Sequence, residues 1–557
     1  MMKTTDFRKS TVYQIYPKSF YDSNGDGLGD LRGVIRKLDY IQELGVDYIW
    51  MTPFFVSPQN DNGYDVEDYY NIDPRYGTME DVEELIREAD KRGIRLMFDM
   101  VFNHVSSRHE WFKKAMEGDP YYKDFFFFRK GKENGEPPTN WESKFGGNAW
   151  EYVEKFDEYY LHLFDVTQPD LNWDNENVRK EVQKVVRFWM EKGVKGFRFD
   201  VVNLISKDRF EDDYEGDGRR FYTDGPNIHK YLKELHDMTF GTDAEIVTVG
   251  EMSSTSIENC YQYAGSQTGE LNMVFSFHHL KVDFMGNEKW VLVPADFGKL
   301  KQILFDWQTK MAEHNAWNAV FWCNHDQPRV VSRFGNEDKY WKESAKMLGT
   351  VIHMLRGTPY VYQGEELGMT NAGFTDISQY RDVESLNHFR ILQEKGLTEA
   401  DAYRILQVHS RDNSRTPMQW DDTKNAGFVA THGDSEPWIS VNPNYTMINA
   451  AQQLQDEDSI FNYYKELIQI RKKLDVVAYG DITPIAKEHP SIFAYKRNYQ
   501  NEDMVVINNF YGKETNWKTD LDLTTYECIL GNYKDTTRPE NGTWTLRPYE
   551  TMIWYRK

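Results

Sequence analysis

Arg198 and Asp200 stand two apart in Gly196-Phe197-Arg198-Phe199-Asp200-Val201, an apolar run that reads as a short buried strand. Strand side chains alternate, so these two point the same way while Phe197, Phe199 and Val201 face the apolar side. A cation about 6 to 7 Å along the strand favours an ionised carboxylate, the form a carboxylate nucleophile needs. Asp200 is therefore the candidate nucleophile, although a buried structural Arg/Asp pair has the same look by itself. Further groups stand at matching strand ends: Asn103-His104 after the third strand, Glu251 at the end of Thr248-Val249-Gly250-Glu251, and His325-Asp326 after the seventh. Hydrolysis of a glycosidic bond needs one carboxylate to attack the anomeric carbon and another to protonate the leaving oxygen. Glu251 is assigned as the acid/base. Asp326 would stabilise the oxocarbenium-like charge and hold ring hydroxyls, with His104 and His325 bonding hydroxyls of the same sugar.

The elements that must position these groups are apolar runs alternating with amphipathic segments. They cover residues 11–16, 46–52, 94–103, 194–201, 245–251, 272–277, 318–324 and 358–363. Eight such strands predict an α/β fold, a (β/α)8 TIM barrel, whose chemistry lies at the C-terminal strand ends. Val178, Val182, Val185 and Trp189 fall four, three and four apart ahead of the fourth strand, and Gly193 is placed to stop that helix. The stretch 104–171, aromatic and Gly/Pro-bearing, is too long for a simple connection and predicts an inserted subdomain. A second long excursion covers 371–450. From Gly480 the pattern turns to alternating apolar residues with turns, a small antiparallel β domain. The expected division is a barrel at 1–103 and 172–479, an insert at 104–171 and a C-terminal β domain at 480–557.

At 557 residues the chain has length for more than one core. Its 89 acidic against 66 basic residues leave a formal charge of -23, which argues against nucleic acid or an anionic membrane as partner. An anionic substrate would have to meet a local basic patch. Cys260, Cys323 and Cys528 are scattered and outside any CxxC pattern, so neither a disulfide framework nor a zinc site is expected. The polar start MMKTTDFRKS lacks an apolar leader and no apolar run reaches 18 residues, so a cytoplasmic protein is expected. Nothing in the sequence calls for an obligate protein partner.

The segments DMVFNH (99–104), GFRFDV (196–201), TVGE (248–251) and WCNHDQ (322–327) resemble the four signature regions of the α-amylase family of retaining glycoside hydrolases, and QPDLN (168–172) resembles its fifth. The resemblance runs over essentially the whole chain and implies a covalent glycosyl intermediate on Asp200. It places Asp61, Tyr64, Arg198 and Arg411 in the pocket for the non-reducing glucosyl unit, with Asp61 and Arg411 closing its far end. QPDLN with Val201 after the nucleophile resembles the oligo-1,6-glucosidase branch. Oxygen-bearing side chains alternate at Asp22, Asn24 and Asp26 with Gly27 at the turn, like half of an EF-hand loop. The twelfth position is Gly33 where an EF-hand needs Glu, which speaks against a true EF-hand. The branch resemblance implies instead a structural Ca2+ or Mg2+ on Asp22, Asn24, Asp26, Asp30 and the Leu28 carbonyl, with no cofactor for catalysis. A polar turn without metal is the other reading.

VFSFHHLKVD (274–283) and GNEKW (286–290) depart from that branch: His278 stands where the branch has a glutamate and Lys281 where it has an uncharged residue. In so acidic a chain, His278, His279, Lys281 and Lys289 read as a phosphate site; a solvated basic loop is the plain alternative. These segments, with GEMSSTS and TDGPNIHKYL, resemble the family members that cleave trehalose 6-phosphate. The resemblance implies a small phosphorylated disaccharide as substrate, α,α-trehalose 6-phosphate cleaved to glucose and glucose 6-phosphate. The rival activity is an oligo-1,6-glucosidase or sucrose-isomerising relative acting on uncharged sugars. A rival of another class is the non-catalytic heavy chain of amino-acid transporters, which carries a membrane helix and lacks the catalytic carboxylates.

Overall fold

The computed structural model describes residues 6–430 and 435–557. The first five residues of the polar start, and 431–434 in the second long excursion, lie outside the described residues. The expected strands form β1 (Val12–Ile15), β2 (Tyr48–Met51), β3 (Arg95–Met100), β4 (Gly196–Phe199), β5 (Val247–Met252), β6 (Met273–Ser276), β7 (Ala319–Val320) and β8 (Thr358–Tyr362). They make one sheet in the order β6-β5-β4-β3-β2-β1-β8-β7, and its recorded pairings are parallel. This is the sheet of a (β/α)8 barrel. Every strand is shorter than its apolar run. β3 stops at Met100, after which the Asn103 carbonyl accepts from Leu171 N–H, and β7 keeps two residues of the seven expected.

The chain divides into two compact units, residues 1–49, 278–381 and 391–557 in one, and 50–277 with 382–390 in the other. This cut falls inside β2 and does not follow the three-part division expected from sequence. The second unit carries β3 to β6 and the insert. Helix Glu176–Glu191 buries Val178, Val182, Val185 and Trp189 at 0–1% exposure, as the four-three-four spacing predicts. Asn175 caps it, accepting from Asn177 N–H, and Gly193 follows at φ 100°. The insert has its own antiparallel sheet of Phe128–Arg129, Glu158–Leu161 and Trp150–Val153. Its buried cluster of Phe127, Trp141, Trp150, Leu161 and Tyr222 includes Val201, the residue after Asp200. Packing of the insert thus reaches the end of β4 directly.

In the first unit, β8 pairs with β1 and β7. Residues 481–556 form the expected antiparallel sheet of five strands, closed over a core with Ile492, Val505, Ile507, Trp544 and Trp554. Cys260, Cys323 and Cys528 are free. Among the described residues no helix is long and apolar enough to cross a membrane.

Candidate active site

Strand register assembles the first group. β3 pairs Asp99 with Arg198 on β4, and β5 pairs Val249 with the same arginine. Moving two residues along keeps the face, so Asp200 comes level with Glu251 one layer higher. The fully buried Arg198 guanidinium bonds all three acids: Asp99 at 2.6 Å, Asp200 at 2.8 Å, and Glu251. Trp50, Tyr64 and Phe275 surround it with their rings, Trp50 at 5.0 Å. Burial works to lower the pKa of this guanidinium, but the charges of Asp99 and Glu251 carry it above the ordinary value. Burial likewise lifts the Asp99 carboxyl to about 6, against the pull of Arg198. One cation shared among three acids leaves excess negative charge.

Val201 takes φ 34°, in the left-handed region a β-branched residue avoids. The turn presents its N–H to Glu251 Oε2 at 3.3 Å. Arg198 donates to the same oxygen. The strained backbone therefore aims Glu251 and turns the chain just past the end of β4.

Asp61, Tyr64 and His104 join this group. Tyr64 donates its hydroxyl to Asp99 Oδ2 at 2.9 Å, and Trp50 Nε1–H donates to the same oxygen at 3.0 Å. Gln168 donates its amide to Asp61 at 3.1 Å and to the Tyr64 carbonyl at 3.1 Å. His104 lies 3.0 Å through Nε2 from the Tyr64 carbonyl and 3.2 Å through Nδ1 from the Asn103 amide. The ring is thus an Nε2–H tautomer tied to protein on both sides, and bonding a sugar hydroxyl requires exchanging the Tyr64 carbonyl. Beneath it the buried Lys207 ammonium is shared by Asp170 at 2.8 Å and Asn103 at 2.9 Å.

Burial pulls the His104 pKa down to about 4. Its folded pKa is below the unfolded value near 6.5, so its contribution to stability is complete above about pH 6.5 and lost as pH falls through 4. The stability advantage of the parent over His104→Gln is expected to shrink by about 3 kcal/mol between pH 7 and 4. Urea unfolding of both proteins at each pH checks this, and a constant difference refutes it.

The second group lies in the other unit. Asp326 Oδ1 accepts from Arg415 at 2.7 Å and from Arg411 at 3.3 Å, and its own N–H bonds Asn324 at 2.8 Å. Arg415 also donates to the His325 carbonyl at 2.8 Å. His325 accepts from the Gln14 amide at Nδ1, 2.8 Å, which puts its proton on Nε2, 3.3 Å from Asp326. Tyr16 stacks on the imidazole at 6.0 Å.

The residues of the basic segment differ in their surroundings. His279 is a correction: its ring is buried, Nε2–H bonds the Phe321 carbonyl at 2.8 Å, and burial holds its pKa near 4, so it brings no charge to a phosphate. Adjacent residues of the short helix His278–Leu280 point apart, and His278 instead packs on Trp307 at 5.4 Å. Lys281 and Lys289 are half-buried, Lys289 lying over the Trp290 ring at 4.7 Å. A third cation organises the segment. Arg333 grips Asp283 through two nitrogens, at 2.8 and 2.6 Å, and Gln327 at 2.9 Å.

The oxygen-rich loop is held by its own N–H donors. Asp22 is fully buried and accepts from Asn24, Gly25 and Gly27. Asp30 accepts from Ser23 and caps helix Leu31–Arg36 through Gly33 N–H, while Asn24 and Asp26 bond each other. Gly27 sits at φ 93°, where a Cβ would lie 2.3 Å from the Glu436 carbonyl oxygen. The donor set is all oxygen, as a hard cation asks. Among the described residues no three His, Cys, Asp or Glu side chains are arranged to hold an ion; the implied set draws also on Asn24 and the Leu28 carbonyl, and its placement rests on the resemblance alone.

Sequence reasoning passed over Asp99, Gln168, Arg415 and Arg333. Asp99 and Gln168 stand inside the quoted segments DMVFNH and QPDLN, and Arg415 follows Arg411 by one helical turn. Arg333 carries no such signal.

Residues 14–480 match the family described as Alpha amylase, catalytic domain, and residues 492–553 match Alpha-amylase SusG C-terminal domain. The chain is 54% identical to a trehalose-6-phosphate hydrolase of Bacillus subtilis, over 99% of this chain and 98% of that protein. It is 48% identical to an oligo-1,6-glucosidase of Bacillus cereus, over 99% of each. The crystal structure of a Bacillus licheniformis trehalose-6-phosphate hydrolase superposes with a TM-score of 0.94 at 55% identity, covering 99% of both chains. With its barrel and its carboxylates at the strand ends, the chain belongs to the α-amylase family of glycoside hydrolases.

Proposed function

We propose that the chain hydrolyses α,α-trehalose 6-phosphate to glucose and glucose 6-phosphate with retention at the anomeric carbon. The observation that carries the chemistry is the Arg198 guanidinium bonded to Asp99, Asp200 and Glu251. An Asp200 oxygen attacks the anomeric carbon as the glycosidic C–O bond breaks, and Glu251 gives its proton to the leaving oxygen. Glu251 then takes a proton from water, whose oxygen displaces Asp200 and restores both carboxyl groups. Asp326, oriented by Arg411 and Arg415, is the third carboxylate, which stabilises the oxocarbenium-like charge. Tyr64, anchored on Asp99, belongs to the glucosyl pocket with Asp61, His104 and His325. Full-length identity of 54% and 50% to two trehalose-6-phosphate hydrolases supports the phosphorylated substrate. A cytoplasmic setting follows from that substrate, a sugar phosphorylated on uptake.

A product assay on trehalose 6-phosphate, trehalose, isomaltose and sucrose tests this reading. Glucose 6-phosphate from the first is expected to dominate. Preferred cleavage of isomaltose would place the chain with the oligo-1,6-glucosidases, the competing activity, of which the Bacillus cereus protein is 48% identical.

Lys281 and Lys289 are the residues proposed to meet the phosphate, together with His278. A charge-assisted hydrogen bond in a partly closed pocket contributes about 1.5 to 3 kcal/mol, against about 0 to 1 for an exposed pair. The Lys281→Ala, Lys289→Ala protein should therefore lose about ten- to a hundredfold in kcat/KM on trehalose 6-phosphate while keeping its rate on an aryl α-glucoside. Added salt should weaken turnover of the phosphorylated substrate in the same direction. Equal losses on both substrates, or none, would move the phosphate elsewhere.

The Asp22–Asp30 loop is proposed to serve structure alone, with a divalent cation stabilising the fold where it binds. Chelation is then expected to lower the melting temperature more than the initial rate. A melting temperature unchanged by chelator and by Asp26→Ala removes the metal from this reading.

A further inference from the structure

The unit that holds Asp200 and Glu251 also carries a cavity of about 590 Å³ with no lining residue in common with the catalytic group. It opens between the start of the insert, residues 108–125, and the barrel residues Val56, Tyr70 and Glu181. One wall is lined by aromatic rings. Trp111, Tyr121 and Tyr122 each abut the buried Phe125, with centroids 5.5, 5.1 and 5.3 Å away. Tyr121 is 47% exposed and Trp111 is half-buried, so both rings keep a wet side. Large exposed rings cost apolar hydration, and their concentration around one cavity marks a binding surface.

The rim decides the class of ligand. Glu67, Asp68, Glu110 and Glu181 stand there against Arg108 and Lys113. His109 adds no charge, since burial holds it near a pKa of 4 and its Nδ1 accepts from Trp111 N–H. The excess of acids repels a phosphorylated sugar. An organic cation is disfavoured as well: Lys114 already lies over the Tyr122 ring at 4.7 Å, paired with Glu110 at 2.6 Å. What remains is a neutral ligand with an apolar face and many hydroxyls. Flat carboxylate, guanidinium and amide groups serve it in pairs; the Asn71 amide is held in place by Asp68 at 2.7 Å. We propose that this cavity is a second carbohydrate site, which binds an unphosphorylated gluco-disaccharide by stacking on Trp111 and Tyr121. The volume accommodates two hexose rings, within the usual range of ligand pockets.

Calorimetric titration of maltose into Asp200→Asn protein tests the proposal, since that variant cannot consume a glucoside. A maltose binding event is expected that is lost in the Asp200→Asn, Trp111→Ala, Tyr121→Ala protein, whether or not the catalytic group also takes maltose. The Trp111→Ala, Tyr121→Ala change in otherwise unaltered protein is expected to leave aryl α-glucoside turnover as it was. If truncating the rings lowers the melting temperature, Asn71→Ala with Arg108→Ala, both at exposed rim positions, takes their place. Maltose binding that is the same in Asp200→Asn protein with and without the cavity substitutions overturns the proposal, as does the absence of any maltose binding. Glucose 6-phosphate or tetramethylammonium binding there in place of maltose overturns the ligand class. None of these outcomes depends on which glycoside the catalytic group cleaves.

Discussion

Asp200→Asn is expected to abolish turnover, with a fall on the order of 10⁴- to 10⁶-fold in kcat, and to leave the fold intact. The amide has the size of the carboxylate but cannot form the ester that splits one hard displacement into two. Arg198 would keep Asp99 at 2.6 Å and its bond to Glu251, so the buried cation is not stranded. This separates the proposal from the structural reading of the Arg198–Asp200 pair. Under a structural role the substitution would lower the melting temperature and spare kcat; under nucleophilic catalysis the reverse holds. Stereochemistry gives an independent check, since two displacements at one carbon restore the starting configuration. Proton NMR of early product should show α-glucose first, and β-glucose first would exclude the covalent route.

The parts of this site that were legible in the sequence are those set by local periodicity. Residues two apart on a strand share a face, which paired Arg198 with Asp200; valines and a tryptophan four, three and four apart fixed the helix ahead of β4. Relations set by register were not legible. Asp99 meets Arg198 because β3 and β4 align at that residue, and nothing within either strand states the alignment. Gln168 was visible only as part of a motif, whereas its amide holds Asp61 and the Tyr64 carbonyl. His279 was misjudged for a local reason: a histidine pair suggests doubled positive charge, but in one helical turn neighbours diverge, and one imidazole went into the core. Arg411 was chosen by resemblance, yet Arg415, one turn later, makes the shorter bond to Asp326.

For Glu251→Gln the expected loss depends on the leaving group, and that dependence is the test. A general acid contributes about 10²- to 10⁴-fold when the departing oxygen is a poor leaving group. A sugar alkoxide is one, so the disaccharide should lose that full factor in its first step. An activated aryl α-glucoside departs as a stabilised phenolate and needs little protonation, so its first step should be slowed far less. The glutamine can keep its carbonyl oxygen on Arg198 and Val201 N–H, where Glu251 Oε2 now lies, which preserves the aim of the side chain. What changes is the transferable O–H, replaced by an amide that cannot release its proton. Deglycosylation should slow for both substrates, because the same group must take a proton from water. The glycosyl enzyme on Asp200 is then expected to accumulate with the aryl substrate and appear as a burst of phenol when substrate is in excess. Equal slowing of the first step for both substrates, with no burst, would assign the acid to a residue other than Glu251.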